Sequence, residues 1–246
     1  GLVLLVIGFV MGDAKGAVAR SALPFYLEAA EVKTADALFE AWLTRLRARL
    51  DQLRMQDTVS PESLDPAVAD ADQLLHASSA LLRLARIEAQ PKIEHEPAVE
   101  LDALVRDAME LYEPIAAERE IALNASTQPL QVEGDADQLF QLMVNLLDNA
   151  VKYAPAGSVV QLELTGIGEA ARLVVADHGA GIPETERERV FDRFHRLEAH
   201  RGTAGTGLGL SLVRAIAQRH RARVFLEDNR PGLKAVVAFP HSRRRP

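Results

Sequence analysis

The chain has 246 residues, 48% of them hydrophobic, enough to fill the core of one or two domains. Its net charge of −7 argues against nucleic acid as a partner, because phosphate binding needs a positive surface field. Cysteine is missing, which excludes disulfides and thiolate metal sites.

Residues 1–30 open with the apolar run Gly1-Leu-Val-Leu-Leu-Val-Ile-Gly-Phe-Val-Met-Gly12. A bilayer-spanning helix needs about twenty such residues. The run therefore reads either as the cytoplasmic end of a longer transmembrane helix, with Lys15 and Arg20 as juxtamembrane charges, or as a buried core helix.

Residues 31–91 read as a helical hairpin. Ala35, Leu38, Phe39, Trp42, Leu43, Leu46, Leu50 and Leu53 recur at threes and fours. Asp57-Thr-Val-Ser-Pro61 interrupts the pattern, and a second helix carries a seam of Ala71, Leu74, Ser78, Leu81 and Ala85. A lone hairpin leaves its apolar faces exposed, so it either pairs with a second copy into a four-helix bundle or packs as an intrachain subdomain.

From residue 92 to 241 the pattern turns to interspersed strands and helices, giving an α+β chain overall. Strands are expected over Ile93 to Leu101, Ile121 to Ala125, Leu130 to Val132, Val159 to Leu164, Arg172 to Ala176, Arg223 to Leu226 and Ala235 to Phe239. Helices are expected over residues 102–118, Ala136 to Tyr153, 184–191 and 207–219. Asn229-Arg-Pro-Gly232 suits a turn, and residues 242–246 form a basic tail read as solvated and frayed.

Three elements within this half occur in a fixed order. The first is Asn145-Leu-Leu-Asp-Asn-Ala-Val-Lys-Tyr153, on the expected helix. The second is Asp177-His-Gly-Ala-Gly-Ile182, and the third is Gly202-Thr-Ala-Gly-Thr-Gly-Leu-Gly-Leu210, with Phe191 and Phe194 between them. Together they resemble the ATP-binding catalytic domain of two-component sensor histidine kinases, over roughly residues 43–240. The resemblance implies an α/β sandwich of the kind shared with gyrase-type topoisomerases and heat-shock chaperones. It further implies ATP and Mg2+ as cofactors, a homodimer, a response-regulator receiver domain as partner, and a place at the bacterial inner membrane with the catalytic domain facing the cytoplasm, or in the cytoplasm if the chain is a natural fragment.

The residues carry that chemistry in recognisable ways. Asn145, Asn149 and Lys152 are spaced four and three apart and share one helix face. An amide oxygen suits magnesium, and a lysine neutralises phosphate, although such a face also occurs as plain solvated helix. The resemblance makes Asn149 the metal ligand, Asn145 its polar partner and Tyr153 a wall near the adenine. Asp177 ends an apolar strand, where its carboxylate can accept a hydrogen bond from an adenine amino group. Gly179 and Gly181 permit close backbone approach, and Ile182 can touch the base. Gly205, Thr206, Gly207, Leu208 and Gly209 lead into a helix whose N-terminal N–H groups can face phosphates. Phe191 and Phe194 resemble the family's aromatic box and also suit core packing, while Arg193 and Arg196 lie where a cation could reach phosphate. Residues 195–206 suit a lid over the nucleotide.

The chain departs from the family at the phosphoacceptor. The usual His-Glu/Asp-Leu-Arg-Thr-Pro-Leu block is absent; if Leu43-Thr-Arg-Leu-Arg47 is matched to the family's continuation, the histidine and acidic positions fall on Ala37 and Leu38. His76, on the second hairpin helix, is the remaining weak candidate nucleophile there. Asn145 stands where gyrase-type hydrolases carry a glutamate, and an amide cannot act as a general base for water.

Overall fold

The computed structural model describes residues 41, 43–53, 61–89, 97–197, 206–240 and 243–244. The run at 1–12, Ala37, Leu38 and Gly205 lie outside them. No described helix is long and apolar enough to cross a membrane. Two compact units emerge, one of residues up to Ala85 with Arg201–Thr206, the other of Arg86–His200 with Gly207–Pro246.

In the first unit, residues 43–53 form helix α1 and Pro61–Ala89 form helix α2. Asp70, buried on α2, lies 3.1 Å from Arg49 Nε on α1. The buried stripe of α2 runs through Ala67, Asp70, Leu74, Ala77, Leu81 and Leu84. It is rotated slightly from the expected seam, since Ala77 and Leu84 are buried in place of Ser78 and Ala85. Leu64, Val68, Leu75 and Leu82 form a separate, exposed apolar stripe.

The second unit is a sheet carrying helices on one face. Its elements are β1 (Ala98–Glu100), α3 (Leu101–Glu118), β2 (Ala122–Thr127), β3 (Leu130–Glu133) and α4 (Ala136–Tyr153). There follow β4 (Val159–Ile167), β5 (Ala170–Ala176), α5 (Gly209–Arg219), β6 (Arg223–Asp228), β7 (Leu233–Phe239) and β8 (Arg243–Arg244). Five strands pair in the order β2-β4-β5-β7-β6, parallel at β2–β4 and antiparallel elsewhere. A smaller sheet has the order β1-β3-β8.

Period-two alternation decides which face is covered. Val160, Leu162 and Leu164 on β4 are fully buried, while Gln161 and Glu163 between them are exposed. α3, α4 and α5 cover the apolar face; Leu139, Leu142, Met143, Leu146 and Leu147 supply the buried side of α4.

Both ends of α4 are set by local chemistry. Asp135 caps the start, its Oδ1 accepting from Gln138 N at 3.1 Å. At the other end Pro155 disfavours helical backbone at Ala154, which adopts φ −69°, ψ 142°. His220, buried just past α5, accepts the Asp135 N–H on Nε2 at 3.1 Å and bonds Ile216 O through Nδ1 at 2.8 Å. That pairing fixes the proton on Nδ1.

Three expectations are corrected. Residues 184–191 form two short 3₁₀ turns, Glu184–Glu186 and Arg189–Phe191, in place of one helix. Their sequence, Glu-Thr-Glu-Arg-Glu-Arg, offers few apolar positions for a helix to bury. The first strand ends at Glu100, because Leu101 already begins α3. The tail is not frayed at residues 243–244, which pair antiparallel with Leu130 and Gln131 of β3.

Candidate nucleotide site

α4 presents the first motif. Asn145 Nδ2 donates to Gln141 O at 2.7 Å, and Asn149 Nδ2 donates to Asn145 O at 3.0 Å. A carbonyl can only accept, so both amides are oriented with the nitrogen on the helix and the Oδ1 turned away. Asn145 Oδ1 faces Gly209: a Cβ built there would stand 3.3 Å from it, and 3.7 Å from Asn149 Nδ2. The asparagine motif and the second glycine cluster therefore meet at the start of α5. The N-cap residue of that helix, Leu208, offers no side-chain cap, and N–H groups at such a helix start are suited to an anion.

One turn further along α4, Lys152 lies over the Tyr153 ring, 5.2 Å from its centroid. Burial lowers the Lys152 pKa, the nearby Asp148 carboxylate works the other way, and the Arg196 and Arg119 charges lower it further. Burial also raises the Tyr153 pKa, which the Arg196 charge opposes. Arg196 is thus close enough to act on both residues. Asp148 in turn accepts from the Tyr112 hydroxyl at 3.3 Å.

Asp177 is 7% exposed at the end of β5. Burial raises its pKa, offset in part by the N–H groups of Gly179 and Leu233 and by the His178 charge. Those two N–H groups donate to one oxygen, Oδ1, at 2.7 and 3.3 Å. Neither of these bonds uses Oδ2. Gly179 packs so closely on α4 that a Cβ would stand 2.5 Å from Tyr153 O, which joins the first glycine cluster to the asparagine motif. Gly181 has φ +71° and abuts Gly232 O; Ile182 is half-buried, its carbonyl held by Arg187 Nε at 3.0 Å.

Phe191 and Phe194 are both buried, and the Arg214 guanidinium sits 4.4 Å from the Phe191 ring centroid. Phe194 N donates to Gly207 O at 3.0 Å, and Gly207, with φ +73°, leaves no room for a Cβ beside Phe194. Leu208 is 1% exposed and anchors α5. Arg193 donates to both carboxylate oxygens of Glu88 at 2.6 Å. Thr206 is half-buried and falls in the hairpin unit; His76 is exposed on α2.

Two residues escaped the sequence reading. Asn229 Nδ2 donates to Asp177 O at 2.7 Å, and a Cβ on Gly232 would stand 1.9 Å from the same oxygen. The signal was present as Asn-Arg-Pro-Gly but pointed only to a turn.

Residues 134–243 match the family model described as histidine kinase-, DNA gyrase B-, and HSP90-like ATPase. A solved mycobacterial sensor histidine kinase, MprB, is 30% identical and superposes with a TM-score of 0.54, covering 59% of this chain and 97% of its own. The chain belongs to the sensor histidine kinases. Full-length ShkA in complex with AMPPNP is 26% identical with a TM-score of 0.64, over 87% of this chain and 47% of its own. The histidine kinase ThkA, solved with the response regulator TrrA, shares the fold at 19% identity, with a TM-score of 0.74 over 90% of this chain and 64% of its own. Among curated relatives, the histidine-protein kinase/phosphatase MprB of Mycobacterium avium is 33% identical over 201 residues, which is 77% of this chain. The match spans 38% of that relative's length. The resemblance to sensor histidine kinases is thereby borne out, as is the α+β architecture.

Proposed function

We propose that the second unit binds Mg-ATP and delivers its γ-phosphoryl group to a histidine, for onward transfer to a response-regulator receiver domain. The observation that carries this reading is the convergence of Asn145 and Asn149 on Gly209, with Asp177 joined to the same helix through Gly179 and Tyr153 O. Asp177 Oδ2 accepts the adenine amino group; Ile182 and Tyr153 flank the base. Lys152 and Arg196 balance phosphate charge, and Gly207, Leu208 and Gly209 turn the α5 N–H groups toward phosphate, with Gly205 and Thr206 preceding them in the lid. Phe191 and Phe194 are read as the aromatic box that precedes the glycine cluster.

The outward Asn149 Oδ1 fits a hard cation that prefers oxygen, so Asn149 would hold Mg2+ together with triphosphate oxygens. When bound, that ion offsets charge on the transferring phosphoryl group. The exposed stripe of Leu64, Val68, Leu75 and Leu82 supports a homodimer through α2. Residues 1–30 are read as a juxtamembrane or degenerate linker segment, 31–91 as the dimerisation hairpin and 92–241 as the catalytic domain.

A second reading rests on one observation: the phosphoacceptor block is missing, and His76 has Leu75 and Ala77 as neighbours in place of an acid. Under it the chain binds ATP and dimerises without phosphorylating itself. Incubation with γ-labelled ATP, followed by acid and base treatment, separates the two. Acid-labile, base-stable label on the unaltered chain supports self-phosphorylation, and its loss in His76→Ala would identify the acceptor. Nucleotide binding without label supports the second reading, and no binding of an ATP analogue at all overturns both.

A further inference from the structure

We infer that the turn Asn229–Gly232 is a positioning clamp for Asp177 and a determinant of adenine specificity, an inference that rests on reading Asp177 as the base-binding carboxylate. Asp177 Oδ1 is already held by Gly179 N and Leu233 N, and its own N–H donates to Leu233 O at 2.9 Å. These bonds tie the residue to β7 but leave its peptide free to tilt. The turn removes that freedom from the other side. Asn229 Nδ2 donates to Asp177 O at 2.7 Å, and Asn229 N bonds Gly232 O at 3.1 Å, closing the turn on itself. Gly232, with φ +111°, lies so close that a Cβ would meet Asp177 O at 1.9 Å and His178 Cα at 2.8 Å. The same Gly232 carbonyl would stand 3.0 Å from a Cβ on Gly181.

A carboxylate that must meet one exocyclic amino group is sensitive to small changes in aim, because hydrogen-bond strength falls steeply with angle. The clamp therefore bears on which base is accepted more than on whether a triphosphate is bound. Hypoxanthine, which carries a carbonyl where adenine has the amino group, is the matched probe: its oxygen faces Asp177 Oδ2 unfavourably.

Calorimetric titration of the 246-residue chain with AMPPNP and its inosine counterpart tests this in the unaltered protein and in Asp177→Asn, Asn229→Ala and Asn229→Asp. Asn229→Asp keeps the side-chain size while removing the donor, so it covers the case in which the alanine variant disturbs the turn. Loss of the clamp is expected to cut the adenine-over-hypoxanthine preference by about tenfold, with the inosine analogue's affinity changed less than about threefold. A general loss of structure would lower both affinities together and leave their ratio. If Asp177→Asn abolishes the preference and both Asn229 variants retain it, the clamp is overturned while the adenine reading stands. If Asp177→Asn itself retains the preference, the adenine reading falls and the clamp with it.

Discussion

Gly209 and Asn145 meet with the space of one missing methyl between them: a Cβ on Gly209 would lie 3.3 Å from Asn145 Oδ1. This contact joins two segments more than sixty residues apart and aligns the start of α5 with the polar face of α4. Gly209→Val should push the Asn145 amide off its bond to Gln141 O and weaken AMPPNP binding by about 1–3 kcal/mol, with Gly209→Ala milder. Calorimetry on the two variants decides it. Equal affinities in all three proteins would show that the contact does not shape the site.

Asp177 sets stability against binding. Burial raises its folded pKa above the ordinary carboxylate value of 3.8, so the charged form is disfavoured by folding. A raised folded pKa means stability present at low pH and lost as pH rises through that pKa. Asp177→Asn should therefore leave the nucleotide-free protein more stable at neutral pH, with the advantage shrinking as the medium is acidified below the carboxylate range. The same substitution should cost about 1.5–3 kcal/mol of ATP-analogue binding. Thermal melts across pH, paired with titrations at pH 7, test both halves, and a destabilised variant at neutral pH contradicts the first.

Lys152 carries a pKa below the ordinary 10.5, chiefly from burial. A bound triphosphate restores the charged form, so binding on the alkaline side should take up a proton and affinity should fall as pH rises toward that lowered pKa. Comparing binding heats in buffers of different ionisation enthalpy reads the proton directly. Lys152→Met should abolish the uptake; uptake persisting in that variant would move the assignment to another group.

The exposed stripe on α2 predicts the oligomer. Leu75 and Leu82, at 50% and 40% exposure, are separated by one heptad. Replacing both by lysine should forfeit about 1 kcal/mol of burial at each half-exposed position and yield a monomer in sedimentation equilibrium, with the unaltered chain twice as heavy. A monomeric unaltered chain would remove the bundle from the proposal.

Much of this was legible in the sequence because its signals are local. The bounds of α4, expected at Ala136 and Tyr153, coincide with the observed ones, since Asp135 caps one end and Pro155 stops the other. Three polar residues at helical spacing placed Asn145, Asn149 and Lys152 on one face. What escaped depends on packing at a distance. Asn229 reaches Asp177 across 52 positions, and no side-chain pattern announces it. β8 pairs with β3 through the backbone, which a reading of side-chain patterns cannot see. The α2 stripe was misplaced by one position because alanine and serine fit either side of such a seam.

The bond between His220 and Asp135 gives the two helices at the site a fixed end. α5 finishes where α4 begins: His220 takes the Asp135 N–H, and Arg219 Nη1 donates to Gln138 Oε1 at 3.3 Å. Gly134 lacks the Cβ that would collide with the imidazole at 2.6 Å. The pair is thus built like tweezers, riveted at the histidine and parted by a single glycine at the tips. The two helices are therefore held at both ends of α5, by the histidine bond at one and by the approach of Gly209 to Asn145 at the other.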